Sequence, residues 1–171
     1  MVGGFGFNHG GERMIVACGF DHAGVSLRDR LLPMIQSMGH QVLDLGTDNT
    51  QPIDYPDKAL EVGQAVVSGA AERGVLVCGS GAGVSVAACK IVGVRACTVH
   101  DTYTAHQGVE HDNMNVLCLG GRVIGSELAA EIVATFLRAT FTDAERHVHR
   151  LAKVAEIERT GGVGTDLTAV G

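Results

Sequence analysis

A cysteine followed by a glycine-rich turn is the strongest chemical signal in this sequence. Cys78 ends an apolar run, and the segment G-S-G-A-G at positions 79–83 follows it. Glycines at alternate positions let the backbone turn tightly and point several N–H groups at one place, at the start of a helix. This is the form of an anion site, and a thiol beside it is expected to have a lowered pKa and to supply a thiolate.

Several known loop functions fit this segment poorly. It does not match the dinucleotide fingerprint G-x-G-x-x-G, it follows the third apolar run rather than the first, and it lacks the G-K-S/T ending of a Walker loop. A cysteine phosphatase needs an arginine six positions after the cysteine, where this chain has Val84. No acidic residue clearly follows the second apolar run where an adenosine ribose would bind, so a nucleotide site is disfavoured.

Acidic and imidazole side chains follow two other apolar runs. Asp21 and His22 come directly after the first run, where Asp21 either acts on a ligand or caps the following helix. A larger group follows the fourth run and consists of His100, Asp101, Tyr103, His106, Glu110, His111, Asp112 and Asn113. The spacings in this group match no standard zinc pattern, so we expect no metal site.

Basic residues are concentrated near the end of the chain. Arg146, Arg150 and Lys153 are spaced i, i+4 and i+7, so they share one face of a predicted helix. This face is either simply solvated or binds a ligand. In a chain of net charge −6, a cationic stripe suits a small phosphorylated ligand, because arginine binds phosphate oxygens through two N–H groups.

Five short apolar runs alternate with helical patterns, and these elements must position the groups above. The runs, all predicted as strands buried on both faces, are Met14–Cys18, Gln41–Leu45, Gly74–Cys78, Val94–Val99 and Asn115–Leu119. The predicted helices are Leu27–Met38 with Pro33 inside it, Tyr55–Ser68, Val84–Lys90, Thr102–Gly108, Leu128–Leu137 and Asp143–Arg159. This alternation predicts a doubly wound α/β sandwich, a parallel sheet with helices on both sides. Such sheets bind ligands at the carboxyl ends of their strands, where the chemical residues lie.

The composition limits the class of protein. The chain has 171 residues, of which 46% are hydrophobic and 19% charged, as expected of one globular domain. The aromatic content of 4% and the net charge of −6 disfavour nucleic-acid binding. No apolar run approaches the roughly 18 residues that span a bilayer, and the N-terminus lacks a secretory pattern. The five cysteines, Cys78 excepted, are therefore expected to be buried free thiols in a reducing cytoplasm.

Glycine is distributed unevenly. Of the 24 glycines, nine lie before Met14 or after Thr160. We therefore predict a single domain over residues 14–159, flanked by a flexible N-terminal extension (1–13) and a flexible C-terminal tail (160–171).

Six motifs, in order, resemble those of the type B ribose-5-phosphate isomerases and their galactose-6-phosphate isomerase relatives. They are D-H-A-G at 21–24, D-Y-P at 54–56, C-G-S-G-x-G at 78–83, E-H-D-N at 110–113, N-V-L-C-L-G-G-R-V-I-G at 115–125 and R-H-x-x-R at 146–150. The resemblance covers residues 14–159 and implies a Rossmann-like three-layer αβα sandwich with a five-stranded parallel sheet. It further implies a cofactor-free aldose–ketose isomerase of a phosphorylated sugar, a cytoplasmic homodimer with active sites shared between subunits.

The same resemblance implies roles for individual residues. Cys78 would be the base that moves a proton between C1 and C2, Ser80 would support the site, and His111 would help to open the furanose ring. Asp21 would lie near the sugar oxygens. The substrate-binding residues that it implies are His22, Tyr55, Gly79, Gly81, Ala82, Gly83, Asp112, Arg122, Arg146 and Arg150. Among these, His22 and the three arginines would hold the phosphate, and the amides of residues 79–83 would hold the enediolate oxygen.

A few positions depart from the pattern of that family. Asp112 stands where many members have Asn, Cys89 stands where an Asn is common, and Ala105–Glu110 resembles a branch that acts on tetrulose phosphates. We expect ribose 5-phosphate and ribulose 5-phosphate as the substrate pair, with a tetrulose or hexose phosphate as the alternative. A non-catalytic sugar-phosphate sensor is less consistent with the intact catalytic set, since phosphate binding needs only the cationic residues.

Overall fold

The computed structural model describes residues 13–165 and residue 168. Its strands are β1 (Ile15–Phe20), β2 (Gln41–Asp44), β3 (Arg73–Cys78), β4 (Ala96–Thr98) and β5 (Val116–Gly120). They form one parallel sheet in the order β2-β1-β3-β5-β4. Its helices are α1 (Arg28–Ser37), α2 (Tyr55–Val67), α3 (Ala82–Ala88), α4 (Thr102–Asp112), α5 (Ser126–Arg138) and α6 (Glu145–Thr160), and a short 3-10 turn (Val25–Leu27) precedes α1.

Helices cover both faces of the sheet, which confirms the predicted three-layer α/β sandwich. Helices α2 and α3 pack in one apolar core, and α1, α4 and α5 pack in the other. The periodic pattern of α5 shows why: Ala129, Ile132, Val133 and Phe136 are spaced i, i+3, i+4 and i+7, and all four are buried. Helix α6 follows and packs against α4.

The prediction that all five strands are buried on both faces is correct for three strands and wrong for two. Strands β1, β3 and β5 occupy the centre of the sheet and are almost fully buried. Strands β2 and β4 are the two edges, where one side of the strand has no neighbouring strand, and they are partly exposed. The sequence pattern is similar in the two groups, because composition reports hydrophobicity and not the place of a strand in the sheet.

The cysteines also divide into a buried group at the centre of the sheet and an exposed group at its edge. Cys18, Cys78 and Cys118 lie on central strands and are buried free thiols. Burial raises the pKa of the Cys18 thiol to about 12, and it also raises the pKa of the Cys118 thiol. The prediction of burial is wrong for Cys89 and Cys97, which are both exposed. Cys89 follows the last residue of α3, and Cys97 lies on the edge strand β4.

Helix α4 is longer than predicted, and this changes where His111 lies. The helix continues to Asp112 and ends at Asn113, whose φ of 48° is left-handed. His111 therefore belongs to the last turn of a helix and not to a loop. Pro33 lies inside α1 as predicted, and the buried Leu31 and Ile35 hold that helix against the sheet.

Among the described helices, none is long and apolar enough to cross a membrane. Residues 1–12 of the predicted N-terminal extension lie outside the described residues. So do residues 166, 167 and 169–171 of the predicted C-terminal tail. The boundaries of both segments remain predictions.

Candidate active site

Cys78 lies at the carboxyl end of the central strand β3, where its thiol receives a backbone hydrogen bond. The Gly81 N–H donates to Cys78 Sγ over 3.1 Å, and Cys78 is only 5% exposed. Gly81 has a φ of 81°, in the left-handed region, and directly precedes α3. The Ala82 N–H donates to Ser80 Oγ over 3.3 Å. One amide of the loop thus reaches the thiol, and a second one bonds to the Ser80 hydroxyl within the loop.

Neighbouring side chains explain two of the three glycines in the loop. A Cβ at Gly81 would lie 2.9 Å from the Thr98 methyl group and 3.0 Å from the Leu119 carbonyl carbon. A Cβ at Gly83 would lie 3.0 Å from the Tyr55 ring, which places Tyr55, the first residue of α2, directly against the loop. A Cβ at Gly79 would meet only ordinary contacts, so the fold itself does not require glycine there.

Asp21 closes the turn that follows β1, beside the thiol loop. Its Oδ1 accepts hydrogen bonds from the Ala23 and Gly24 N–H groups, both over 2.8 Å, and the residue is 4% exposed. The Asp21 N–H donates to the Val77 carbonyl over 3.0 Å, which fastens this turn to β3 next to Cys78. Asp21 therefore stabilises a turn before the 3-10 segment. Within the described residues no group donates to its Oδ2, which leaves that oxygen for a ligand.

The loop after β5 completes one side of the site. The Gly121 N–H donates to the Cys78 carbonyl over 2.8 Å, and the Arg122 N–H donates to the Gly79 carbonyl over 3.0 Å. These bonds bring the Arg122 side chain alongside Gly79. We call the group formed by Cys78, the loop 79–83, Asp21, Tyr55 and Arg122 the thiol cluster.

His22 lies next to this cluster and has a structural contact of its own. Its Nδ1 accepts a hydrogen bond from the Ile53 N–H over 3.3 Å, which ties the loop before α2 to the turn after β1. His100 has a comparable role, since its Nε2 accepts a hydrogen bond from the Gly120 N–H over 2.9 Å. His22 remains a candidate ligand through its other ring nitrogen.

A second group of polar residues lies at the junction of α4 and α6, and we call it the histidine cluster. The rings of His111 and His147 stack with their centroids 4.1 Å apart, and Gln107 Nε2 lies 2.9 Å from His111 Nδ1. His147 is 2% exposed, and this burial, together with His111, Arg146 and Arg150, lowers its pKa. Sequence reasoning missed His147 and Gln107 as site residues. The motif R-H-x-x-R contains His147, but nothing near it in the sequence indicates that it stacks on His111 of another helix.

The predicted phosphate ligands lie on different elements. Arg122 belongs to the thiol cluster, whereas Arg146 and Arg150 are exposed on the first turns of α6. In the part of the chain that the structure describes, neither of these two guanidinium groups forms a hydrogen bond or an ion pair with the thiol cluster or with any other group. Asp112, beside His111, is also exposed. Within the described residues, no hydrogen bond or ion pair therefore joins Arg146 or Arg150 to the groups around Cys78.

The arrangement of the thiol cluster suits proton transfer beside a developing negative charge. A thiol within reach of inward-facing amides can act as a base, while the amides stabilise an oxyanion. The model of the Ribose/Galactose Isomerase family matches residues 16–154. The chain belongs to this family.

Relatives of this chain cover most of its length. Ribose-5-phosphate isomerase B of Escherichia coli is 38% identical over 84% of this chain and 96% of its own length. D-erythrulose-4-phosphate isomerase of Pectobacterium atrosepticum is 41% identical over 74% of this chain and 84% of its own length. The solved structure of Clostridium thermocellum ribose-5-phosphate isomerase B superposes with a TM-score of 0.84 and 40% identity, over 86% of this chain and 99% of that one.

Proposed function

We propose that this protein interconverts ribose 5-phosphate and ribulose 5-phosphate, with Cys78 as the base. Membership of the family makes the chain an aldose–ketose isomerase of sugar phosphates. The observation that carries the assignment of the base is the position of the Cys78 thiol, which lies at the carboxyl end of the central strand and 3.1 Å from the Gly81 amide. No other cysteine on the described strands adjoins such a loop.

The reaction requires removal of a weakly acidic proton next to a carbonyl group. The Cys78 thiolate takes the proton from C2 of the open-chain aldose, the electron pair of that bond forms the C1–C2 double bond, and O1 becomes an oxyanion. The thiol then returns the proton to C1 while a proton passes from O2 to O1. Backbone amides of the loop 79–83 hold the oxyanion, and such a donor commonly contributes about 3 kcal/mol.

Other residues prepare the substrate for this transfer. Ribose 5-phosphate is mainly a closed furanose, so a proton must pass from its O1 hydroxyl to its ring oxygen before a carbonyl exists. We assign to His111 the hydrogen bond that is donated to the ring oxygen during this transfer, with Asp21 Oδ2 facing the sugar hydroxyls and Tyr55 beside them. The phosphate is held by Arg122 and His22 together with Arg146 and Arg150, which fixes the carbon chain for proton transfer.

The separation of the two clusters supports a homodimer with shared active sites. Arg146 and Arg150 are exposed and unpaired within the described residues, and the same helix exposes Val148, Val154 and Ile157. A groove of about 560 Å³ runs between β4, α4 and α6, and Val154 and Ile157 line it. A second copy of the chain that covers this surface would place the arginines of one subunit at the thiol cluster of the other.

A four-carbon sugar phosphate is the second candidate substrate. The segment Ala105–Glu110, which includes Gln107, is part of α4 and contacts His111 directly. The relative that is named an erythrulose-phosphate isomerase is 41% identical. A tetrose or tetrulose 4-phosphate cannot close a furanose ring, because its O4 carries the phosphate, so this substrate needs no ring opening.

Kinetics on a panel of four-, five- and six-carbon sugar phosphates tests the substrate assignment. We expect the highest kcat/KM for ribose 5-phosphate, and a clear preference for a four-carbon substrate would replace it with the second candidate.

The base is tested by Cys78→Ala, which should lower kcat by at least about a thousandfold while inorganic phosphate still binds. Cys118→Ala, a buried thiol on the neighbouring strand, is the matched control and should keep near-normal kcat. Unchanged turnover in Cys78→Ala would refute the role of the base.

A further inference from the structure

The contact between Gln107 and His111 has no role in the reaction as described so far. The two residues are four apart on α4 and therefore share one face of the helix, and both are half-buried. Gln107 Nε2 lies 2.9 Å from His111 Nδ1. We propose that Gln107 is a positioning residue that holds His111 as the tautomer with its proton on Nε2. The catalytic consequence of this proposal rests on the function proposed above, whereas the tautomer itself does not.

The hydrogen-bonding capacity of the amide fixes the proton on the ring. An amide nitrogen can only donate, so His111 Nδ1 must accept with its lone pair. A neutral imidazole that accepts at Nδ1 carries its proton on Nε2. His111 therefore presents an N–H donor at Nε2.

A similar argument fixes the proton on the stacked ring of His147. Thr142 Oγ1 lies 2.9 Å from the Glu110 carbonyl oxygen and 2.7 Å from His147 Nδ1. The carbonyl can only accept, so the single hydroxyl proton is donated to it. Thr142 Oγ1 then accepts from His147, whose proton must be on Nδ1. The two stacked imidazoles thus hold opposite tautomers.

His147 and Gln107 together restrain both the plane of the His111 ring and its rotation within that plane. His147 lies against the face of the ring, with the two planes inclined by 33°, and Gln107 fixes its edge. Opening a furanose requires a donor aimed at the ring oxygen, which the Nε2–H form supplies and the Nδ1–H form does not. One neutral hydrogen bond changes such a balance about fivefold.

Nitrogen NMR of the full-length protein tests the tautomers directly. Two-bond correlations between the imidazole protons and nitrogens distinguish a bare nitrogen from a protonated one, and spectra at about pH 8 report the neutral rings. Loss of signals in His111→Asn and His147→Asn assigns the two residues. We expect a bare Nδ1 in His111 and a protonated Nδ1 in His147. In Gln107→Glu the carboxylate accepts a hydrogen bond, so Nδ1 of His111 should become protonated.

Kinetics separate positioning from a merely structural role. Gln107→Leu should lower kcat for ribose 5-phosphate about fivefold with little change in KM, and should leave turnover of an open-chain four-carbon phosphate unchanged. Gln64→Leu, an exposed glutamine on α2, is the matched control and should change neither. A protonated Nδ1 in wild-type His111, an unchanged Nδ1 in Gln107→Glu, or equal loss of kcat on both substrates would overturn the proposal. If the wild-type protein turns over no sugar phosphate, the proposed function fails, and the spectra still decide the role of Gln107.

Discussion

At the scale of single residues, the thiol loop depends on backbone geometry as much as on side-chain chemistry. Gly81 donates its N–H to Cys78 Sγ, and it does so from a left-handed conformation with almost no space for a Cβ. The residue therefore links the shape of the loop to the environment of the Cys78 thiol. Gly79, by contrast, is free of close contacts with the fold, so any need for glycine there comes from the ligand.

Replacing Gly81 with alanine should damage both stability and catalysis. We expect Gly81→Ala to lower the free energy of unfolding by about 2 kcal/mol, because an L side chain is strained at this φ and its Cβ meets Thr98 and the β5 backbone. The kcat should fall at least about tenfold, because the amide leaves the thiol. Urea denaturation and steady-state kinetics measure the two effects.

Gly39 offers a matched control for this substitution. It also has a positive φ, 93°, but nothing lies within 4 Å of its added Cβ. Gly39→Ala should cost about 1 kcal/mol of stability through backbone strain alone and leave kcat unchanged. Equal effects of the two substitutions on kcat would show that the shape of the thiol loop does not matter for the reaction.

At the scale of elements, the junction between α4 and α6 is where burial acts on an ionisable group. His147 is the only buried histidine among the described residues. Its pKa is lowered first by burial and then by His111, Arg146 and Arg150, while Asp112 acts in the opposite direction. The ring is therefore neutral in the folded protein at neutral pH, which agrees with its packing against His111.

This lowered pKa predicts that acid weakens the junction. In the unfolded chain a histidine binds a proton with a pKa near 6.5, so below about this pH the unfolded state holds a proton that the folded state lacks. The stability contributed by neutral His147 is thus present above that pH and is lost as the pH falls below it. Urea denaturation measures the free energy of unfolding at about pH 7.5 and about pH 5.5, at one protein concentration. Between these pH values this free energy should fall less in His147→Asn than in the wild type.

His149 provides the control for the pH experiment. It lies on the same helix but is exposed, so His149→Asn should keep the wild-type difference between the two pH values. His40, whose pKa burial and Arg73 lower, contributes to the same pH range in all three proteins and cancels in the comparison. An identical fall in the free energy of unfolding between the two pH values in His147→Asn and in the wild type would contradict the prediction.

At the scale of the whole molecule, the proposed active site draws on residues from two parts of the fold. The thiol cluster lies at the carboxyl ends of β1, β3 and β5, and the free arginines lie on α6, which packs against α4. Family membership does not by itself state how subunits assemble. The proposed homodimer joins the two halves through a second copy, and this makes a test with mixed subunits possible.

Two inactive variants should restore activity when they are combined. Cys78→Ala lacks the proposed base, and the double variant Arg146→Ala/Arg150→Ala lacks the proposed phosphate ligands of α6. If the sites are shared, mixed dimers contain one intact site, and co-expression at equal levels should yield about a quarter of wild-type activity. Light scattering should give twice the chain mass. Activity no higher than that of each variant alone would show that each site belongs to a single subunit.

Several features were determined by the sequence alone. The alternation of strands and helices was sufficient for the α/β sandwich, and the spacing of Cys78 and its glycines was sufficient for the amide loop, because both depend on short-range rules of periodicity and backbone freedom. The place of the Cys78 loop at the carboxyl end of a strand follows from the same rules. These predictions need no knowledge of distant contacts.

Only the tertiary structure decided which distant residues meet. The exposure of β2, β4, Cys89 and Cys97 depends on strand order, which hydrophobicity does not encode. The stacking of His111 on His147 joins two helices whose meeting depends on packing of the whole chain. Local patterns fix the conformation of a segment, whereas the environment of a side chain is set by elements far away in the sequence, and the chemistry of the histidine cluster is of that second kind.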